Sequence, residues 1–493
     1  MDFSVVLFLL LTACISYLIM TYGRMLQKRG QLPPGPIPLP IVGNLLQLDT
    51  ENIAQSLIAI SKKYGPVFTL YMGSKPTLVL CGYETIKEAL INQGEQFIGR
   101  GPIPVFQNFT KGNDFAFTNG ERWKELRKFA VQTLRNFGVG KRSIEERIQE
   151  EVQFLIKELR KTNQLPFDPT IIICRSVSNV ICSVLFANRF DYEDKNFQTI
   201  VSTTNENFKI MSSSWGTLYN IYSEIMDYLP GPHKKLFSNY EMLRVILQDA
   251  IKAHQETLDP NCPRDYIDVF LIKMEQEKNN PTSHYFIESL IMTMQNLIYG
   301  GTDTVTTFLR YSLLVLMKFP EVAKKVQDEI NQVIGQNRPP DTEDRKKMPY
   351  TDAVIQELQR FTDIGPLSLP HLVMQDTQLQ GYKIPQGLPV IPVISSVHYD
   401  PAQYEKPEVF NPANFLDQNG CVKKTDAVMV FSAGKRMCPG ESLARMEIFL
   451  FLTTLLQNFT FQPLVNKEDI DLTPIGSAVE NLPRPYQCCA ISR

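Results

Sequence analysis

The stretch Phe431-Ser432-Ala433-Gly434-Lys435-Arg436-Met437-Cys438-Pro439-Gly440 constrains this chain more than any other. One cysteine sits in a glycine-punctuated loop, and a helical pattern from Glu441 to Gln457 follows at once. Leu443, Met446, Ile448, Phe449, Phe451, Leu452, Leu455 and Leu456 give that pattern a wide apolar side, suited to a buried helix. The glycines allow the loop to approach a flat ligand with no Cβ in the way. Backbone N–H groups at the helix start favour a thiolate on Cys438, and Arg436 adds a cation two residues before it. A lone thiolate on an apolar helix suits sulfur ligation of haem iron; a buried structural cysteine is the alternative.

The full spacing F-x-x-G-x-R-x-C-x-G resembles the signature of the cytochrome P-450 haem-thiolate family. The resemblance runs from the proline-rich stretch near residue 33 to the C-terminus and is closest to the microsomal family 2 branch. It implies a mostly α fold, with a large helical region, a small β region and an N-terminal membrane anchor helix. It further implies haem b (iron protoporphyrin IX), with Cys438 as the metal ligand and Arg436 and Gly440 in the cofactor site.

Bulk composition is that of an ordinary globular chain of 493 residues, 43% hydrophobic and 21% charged. A net charge of −2 exerts no global pull toward nucleic acid. The nine cysteines show no CxxC or zinc spacing, a reduced, cytosol-facing usage. Phe3 to Met20 carries no charge, and Arg24, Lys28 and Arg29 follow it. Basic residues after the apolar run favour an uncleaved anchor over a signal peptide, with the downstream side in the cytosol. Eighteen helical residues span about 27 Å, which fits the endoplasmic reticulum bilayer; a helix lying in the interface is the alternative. Five prolines between Pro33 and Pro40 make a stiff extended linker. The expected organisation is an anchor over 1–23, a basic flank and hinge over 24–44, and one catalytic domain over 45–493.

Two strands are expected at Val67–Met72 and Thr77–Leu80, turned at Gly73-Ser74, and strand-like pieces return only at Leu367–Val373 and Leu388–Ile394. Helix-period patterns cover Ile144–Lys161, Asn239–Thr257, Tyr285–Lys318, Glu321–Ile334 and Tyr350–Phe361. The longest of them contains Gly300-Gly301-Thr302-Asp303-Thr304. Two mid-helix glycines cost about 2 kcal/mol relative to alanine. Either a groove for a small ligand or a packing notch against a crossing helix would offset that. The resembled family carries a similar [AG]-G-x-[DE]-T stretch over the distal haem face. Carried over, Gly300 and Gly301 give room for dioxygen and substrate, while Asp303 and Thr304 are catalytic and deliver protons for O–O cleavage. Val305 stands where many relatives have a second threonine.

Glu357-Leu358-Gln359-Arg360 is by itself an ordinary i,i+3 charge pair. It resembles the family's ExxR element, a buried structural salt bridge that locks the haem-binding core, whose usual third partner is replaced here by Asn414, leaving a neutral hydrogen bond. Trp123 and Arg127 share a helix face at i,i+4 and resemble the family's propionate-binding W-x-x-x-R, with Arg100, His371 and Arg436 at other propionate-side positions. His371 alone also reads as an ordinary satisfied histidine. The substrate pocket expected by the resemblance draws on Phe117, Phe208, Leu297, Gly300, Gly301, Leu367 and Val479, with Phe106, Phe109 and Phe115 as further aromatic wall or as core. Lys111 reads as a solvated lysine or as a contact for an anionic substrate.

Arg122, Lys124, Lys128, Arg135, Lys435 and Arg445 form a basic set near the cysteine loop. Solvated surface is one reading and docking of an acidic redox partner the other. The chain has no nucleotide-binding glycine loop, so NADPH electrons must arrive through a separate protein. The resemblance names the membrane-bound NADPH–cytochrome P-450 reductase, with cytochrome b5 as an optional second donor. The expected function is a monooxygenase of the endoplasmic reticulum membrane. It would insert one atom of O2 into apolar small molecules such as xenobiotics, fatty acids or steroids. A haem-thiolate isomerase or dehydratase is the rival enzyme class, and a ligand-carrying haem protein the rival non-enzyme.

Overall fold

The computed structural model describes residues 3–137, 142–475 and 480–493. Helices dominate, and their bounds follow the apolar periodicities closely. The predicted segments become Arg142–Lys161, Pro232–Thr257, Ile287–Lys318, Pro320–Val333, Pro349–Thr362 and Glu441–Asn458. Pro320 and Pro349 occupy first-turn positions, where the missing N–H costs nothing. The helix Ile287–Lys318 runs unbroken through both glycines and forms the axis of the main core. Pro169–Phe186 and Glu441–Asn458 pack along it, and Lys195–Ser212 crosses it.

The β region is larger than the periodicity implies. Strands β1 (Val67–Met72), β2 (Lys75–Cys81), β3 (Gly99–Arg100), β4 (His371–Leu372), β5 (Thr377–Leu379), β6 (Tyr382–Ile384), β7 (Pro389–Val393), β8 (Phe459–Pro463) and β9 (Cys488–Ser492) are formed. The main sheet has the order β1-β2-β7-β4-β3. β1 and β2 form the predicted hairpin, with Met72 opposite Lys75. β2 and β7 run parallel, so the N-terminal hairpin is tied to residues three hundred positions later. The strand expected over Leu367–Val373 shortens to two residues, because Pro366 and Pro370 withhold ladder donors. The pairs β5–β6 and β8–β9 contradict the expectation that strands return only twice; both are too short, or too polar on one face, to announce themselves.

The N-terminal helix extends over Phe3–Arg29, beyond the expected 1–23, so Lys28 and Arg29 of the basic flank lie in its last turn. Its apolar side chains Phe3, Phe8, Ile15, Ile19 and Met20 are exposed. Among the described residues, Pro169–Phe186 is the helix long and apolar enough to cross a membrane, and it is mostly buried in the main core. No disulfide joins any of the eight cysteines whose side chains are described.

Candidate active site

The cysteine loop is locked from behind. Gly434 has φ +71°, and a Cβ there would lie 1.9 Å from the Leu90 carbonyl oxygen. Its glycine is therefore demanded by a neighbouring backbone, not by a flat ligand. The Cys438 N–H donates to the Phe431 carbonyl at 2.9 Å, closing the loop. Backbone N–H groups of Gly440 and Glu441 point at the Cys438 sulfur and favour its thiolate, as does the Arg127 guanidinium. Burial outweighs them and pushes the thiol up, against the sequence expectation of a resting thiolate. A free thiol is thus favoured until a cation binds sulfur. The accessible face of Cys438 opens onto an internal cavity of about 390 Å³.

One wall of that cavity is cationic. Arg100, Trp123, Arg127 and Arg436 all line it. Arg436 lies over the Trp123 ring, 3.9 Å from its centroid, and donates to the Ile98 and Thr118 carbonyls and to Asn119 at 2.8 Å each. Arg100 donates to the Ala116 and Leu369 carbonyls at 3.2 and 3.1 Å. Burial, with Arg127 beside it, brings Arg100 down to about 10. Burial together with Arg100 and Arg127 brings Arg436 down to about 8. His371 sits behind them, held down to about 3 by burial and by the neighbouring Arg100 and Arg436 charges. Its Nδ1 bonds the Phe97 carbonyl at 2.8 Å, and its Nε2 is buried without a partner. Trp123 Nε1 and Arg436 Nη1 are likewise buried and unpartnered. Mutually repelling buried cations and three orphaned ring or guanidinium nitrogens, beside one cysteine sulfur, fit a ligand with two carboxylates and a metal centre. Haem has both.

The opposite wall is the central helix. Thr304, Gly300, Gly301, Leu297 and Val305 line the cavity. The Thr304 hydroxyl donates to the Gly300 carbonyl at 2.8 Å. The two glycines divide the readings between them. A Cβ on Gly300 would meet nothing within 4 Å, whereas one on Gly301 would press on Ile181 at 3.1 Å. Gly300 makes room; Gly301 is a packing notch. Asp303 is buried just behind this wall, and burial raises its carboxyl to about 6.

Between the walls the lining is aromatic. Phe106, Phe109, Phe115, Phe117 and Phe208 all face the cavity. Phe106 stacks on Phe117 at 3.8 Å between centroids, and Phe109 on Tyr240 at 4.1 Å. Leu367 is not part of it: it is buried in a separate core with Leu48, Ile53 and Phe68, because the left-handed turn at Ser368 sends Ser368 and Leu369 to the cavity instead. Val479 lies outside the described residues. Lys111 is exposed. Two carboxyls on the lining are absent from the sequence expectations, Glu447 and Glu480. Glu447 carried a usable signal, an acid amid Met446, Ile448 and Phe449; Glu480 reads in sequence as an ordinary loop acid.

The Glu357–Arg360 pair is fully buried, with both bonds at 2.7 Å. Arg360 also donates to the His398 and Pro407 carbonyls, and Glu357 accepts from the Asn411 N–H at 2.7 Å. Asn414 makes no hydrogen bond to the pair, contrary to expectation: its Nδ2 is buried and unpartnered, and the backbone of Asn411 takes its place. The basic set divides. Lys124, Lys128, Arg135 and Lys435 are exposed. Arg122 turns inward to the Gly112 carbonyl at 2.7 Å, and Arg445 is paired with Glu441 at 2.8 Å.

The cytochrome P-450 family profile matches residues 33–490. Cytochrome P-450 2F2 of Mus musculus is 57% identical over 461 residues, 94% of either chain. Cytochrome P-450 2F3 of Capra hircus is 54% identical over 490 residues, 99% of either chain. Cytochrome P-450 2C23 of Rattus norvegicus is 49% identical over 493 residues, 100% of this chain and 99% of its own. A sulfur, a cationic wall and an alcohol on one cavity, together with likeness along the whole length, lead to one conclusion: this chain belongs to the cytochrome P-450 family and is a haem-dependent monooxygenase.

Proposed function

We propose that this enzyme hydroxylates apolar small molecules, such as xenobiotics, fatty acids or steroids, at the endoplasmic reticulum membrane. Haem, when bound, would supply dioxygen activation, and the Cys438 thiolate would hold its iron. Arg100, Trp123, Arg127, Arg436 and His371 would hold its two carboxylates. His371 already bonds a carbonyl through Nδ1, so its Nε2 donates only as an imidazolium; a nearby carboxylate favours that form. Thr304 and Asp303 move protons, and Gly300 leaves the space in which dioxygen and substrate meet. Val305 adds an apolar wall, which keeps the Thr304 hydroxyl as the polar group of its turn that faces the cavity.

The observation that carries this reading is the aromatic cavity open at once to Cys438 and Thr304. Substrate enters by shedding water from apolar surface, and selectivity comes from shape against the phenylalanines. Electrons come from NADPH through a separate membrane-bound reductase, with cytochrome b5 as a second donor. Lys124 and Lys435 both act on Glu95, so the Trp123 helix and the cysteine loop share one basic face on which an acidic partner fits. The helix Phe3–Arg29 anchors the chain, residues 33–40 form the hinge, and the catalytic domain faces the cytosol. The test is Cys438→Ser: the reduced carbon monoxide complex is expected to lose the thiolate-specific Soret position. A variant absorbing where the wild type does sinks the assignment.

A further inference from the structure

The carboxyl group of Glu480 is buried, and among the described residues neither of its oxygens has a donor at hydrogen-bond distance. One oxygen of Asp303 is in the same condition. The two carboxyls lie within hydrogen-bond reach of each other once one of them carries a proton. Glu480 also lines the cavity, whereas Asp303 lies behind it. Its position is fixed from the following residue: Asn481 donates through its N–H to the Ile364 carbonyl at 2.9 Å and through Nδ2 to the Asp363 carbonyl at 2.8 Å.

Two ionised carboxylates facing each other without donors cannot persist in a buried site. One proton between them supplies the missing donor and removes the repulsion, so the pair titrates as a unit. The other groups acting on the pair do not displace that proton. Arg310, from the same helix, lowers both carboxyls, Lys209, from Lys195–Ser212, lowers Asp303, and the nearby Thr307 hydroxyl lowers Glu480 without a hydrogen bond to it at bonding distance. Cys174, from Pro169–Phe186, is pushed up to about 12 and stays neutral. Both oxygens of Glu480 are orphaned against one of Asp303, and Lys209 favours the ionised form of Asp303, so Glu480 holds the proton and Asp303 accepts its hydrogen bond.

We propose that Glu480 is a positioning residue for proton delivery: it stores a proton on the cavity wall and hands it to Asp303 when Asp303 supplies Thr304. The inference rests on the proton role given above to Asp303. The transfer balances simply. A proton leaves the Glu480 oxygen for the Asp303 carboxylate, one proton passes onward to the cavity, and water returns one to the pair.

The test compares Glu480→Gln, Glu480→Asp and Asp303→Asn with wild type, all carrying haem as judged by the carbon monoxide spectrum. In the resting proteins, infrared difference spectra of wild type minus E480Q are expected to contain the C=O stretch of a protonated carboxyl. Asp303→Asn shifts that band, and Glu480→Asp retains one. With purified reductase and NADPH, E480Q is expected to form about tenfold less product per NADPH, the scale of a general-acid effect, with hydrogen peroxide released instead. Organic-hydroperoxide-driven oxidation, which needs no proton delivered to reduced dioxygen, stays at the wild-type level. Wild type loses coupling as rising pH strips the shared proton, and E480Q lacks that limb. An E480Q enzyme that keeps the carbonyl band or wild-type coupling overturns the proposal, as does a parallel loss of hydroperoxide-driven turnover, which would make Glu480 a pocket-shaping residue. Normal coupling in Asp303→Asn sinks the Asp303 role and this inference with it; impaired coupling there beside normal coupling in E480Q sinks this inference alone.

Discussion

Gly434 and Gly440 stand six residues apart in the same signature, yet different physics keeps each of them. At Gly434 any Cβ collides with the Leu90 carbonyl and the backbone sits at positive φ. Gly434→Ala is therefore expected to cost about 1–3 kcal/mol from overpacking alone, with further loss from the left-handed backbone. The readout is a lower chemical denaturation midpoint together with reduced haem uptake. Gly440→Ala places its Cβ 3.8 Å from the Cys438 sulfur, an ordinary contact, and its N–H still reaches the sulfur. That variant is expected to keep its fold, with an unchanged denaturation midpoint as the check. Residue types alone distinguish neither case, because the Leu90 backbone is brought in from 340 residues upstream. The same holds for Asn414: the sequence shows a missing arginine, but only the fold reveals that the Asn411 N–H substitutes for it. What was legible at this scale were residues whose chemistry is rare in context, such as Cys438, Asp303 and Trp123.

Elements were legible where one apolar stripe ran long enough to set a period, as in Ile287–Lys318 and Glu441–Asn458. They were illegible where pairing came from far away, as in β3 with β4 or β8 with β9, because strands of two to five residues carry almost no period of their own. The helix Pro349–Thr362 shows how an element acquires a task that its propensities do not reveal. Its Glu357–Arg360 pair is in isolation an ordinary i,i+3 bridge; as the family resemblance implies, it is buried, 0% exposed on both sides, and it ties the helix to the carbonyls of residues 398 and 407. Removing one partner strands a buried charge. Arg360→Ala is expected to cost about 3–5 kcal/mol and to yield protein without haem. Arg360→Lys is expected to fail nearly as badly, since one ammonium cannot reproduce a fork engaging a carboxylate and two carbonyls. Urea titration of the purified variants, with haem content measured alongside, decides both; a loss below about 1 kcal/mol for Arg360→Ala would place the pair among ordinary surface bridges.

At the scale of the molecule, the N-terminal helix is not the sole exposed apolar surface. Ile37, Leu39, Ile41 and Leu46 are exposed on the hinge and just beyond it. Tyr222 donates to the Ile41 carbonyl at 3.2 Å, and Ile221 packs over Gly73, so the segment Ser214–Met226 borders the same surface. Leu218, Ile225, Tyr228 and Leu229 extend the exposure on that side. An apolar area of this breadth beside the proline-rich stretch suits the proposed seat on the bilayer, with the proposed anchor Phe3–Arg29 as a second and stronger attachment. Deleting residues 3–29 is therefore expected to weaken membrane association without abolishing it, and the remainder should resist high salt, since apolar contact is not screened. Adding Ile41→Asp and Leu46→Asp to the truncated chain places two charges in the contact. Each costs up to about 3 kcal/mol if it must enter hydrocarbon, so the variant should move to the supernatant. Vesicle flotation of the three proteins at low and high salt is the measurement. A truncated chain that is already fully soluble would assign all binding to the helix, and one released by salt would move the attraction from apolar surface to basic residues.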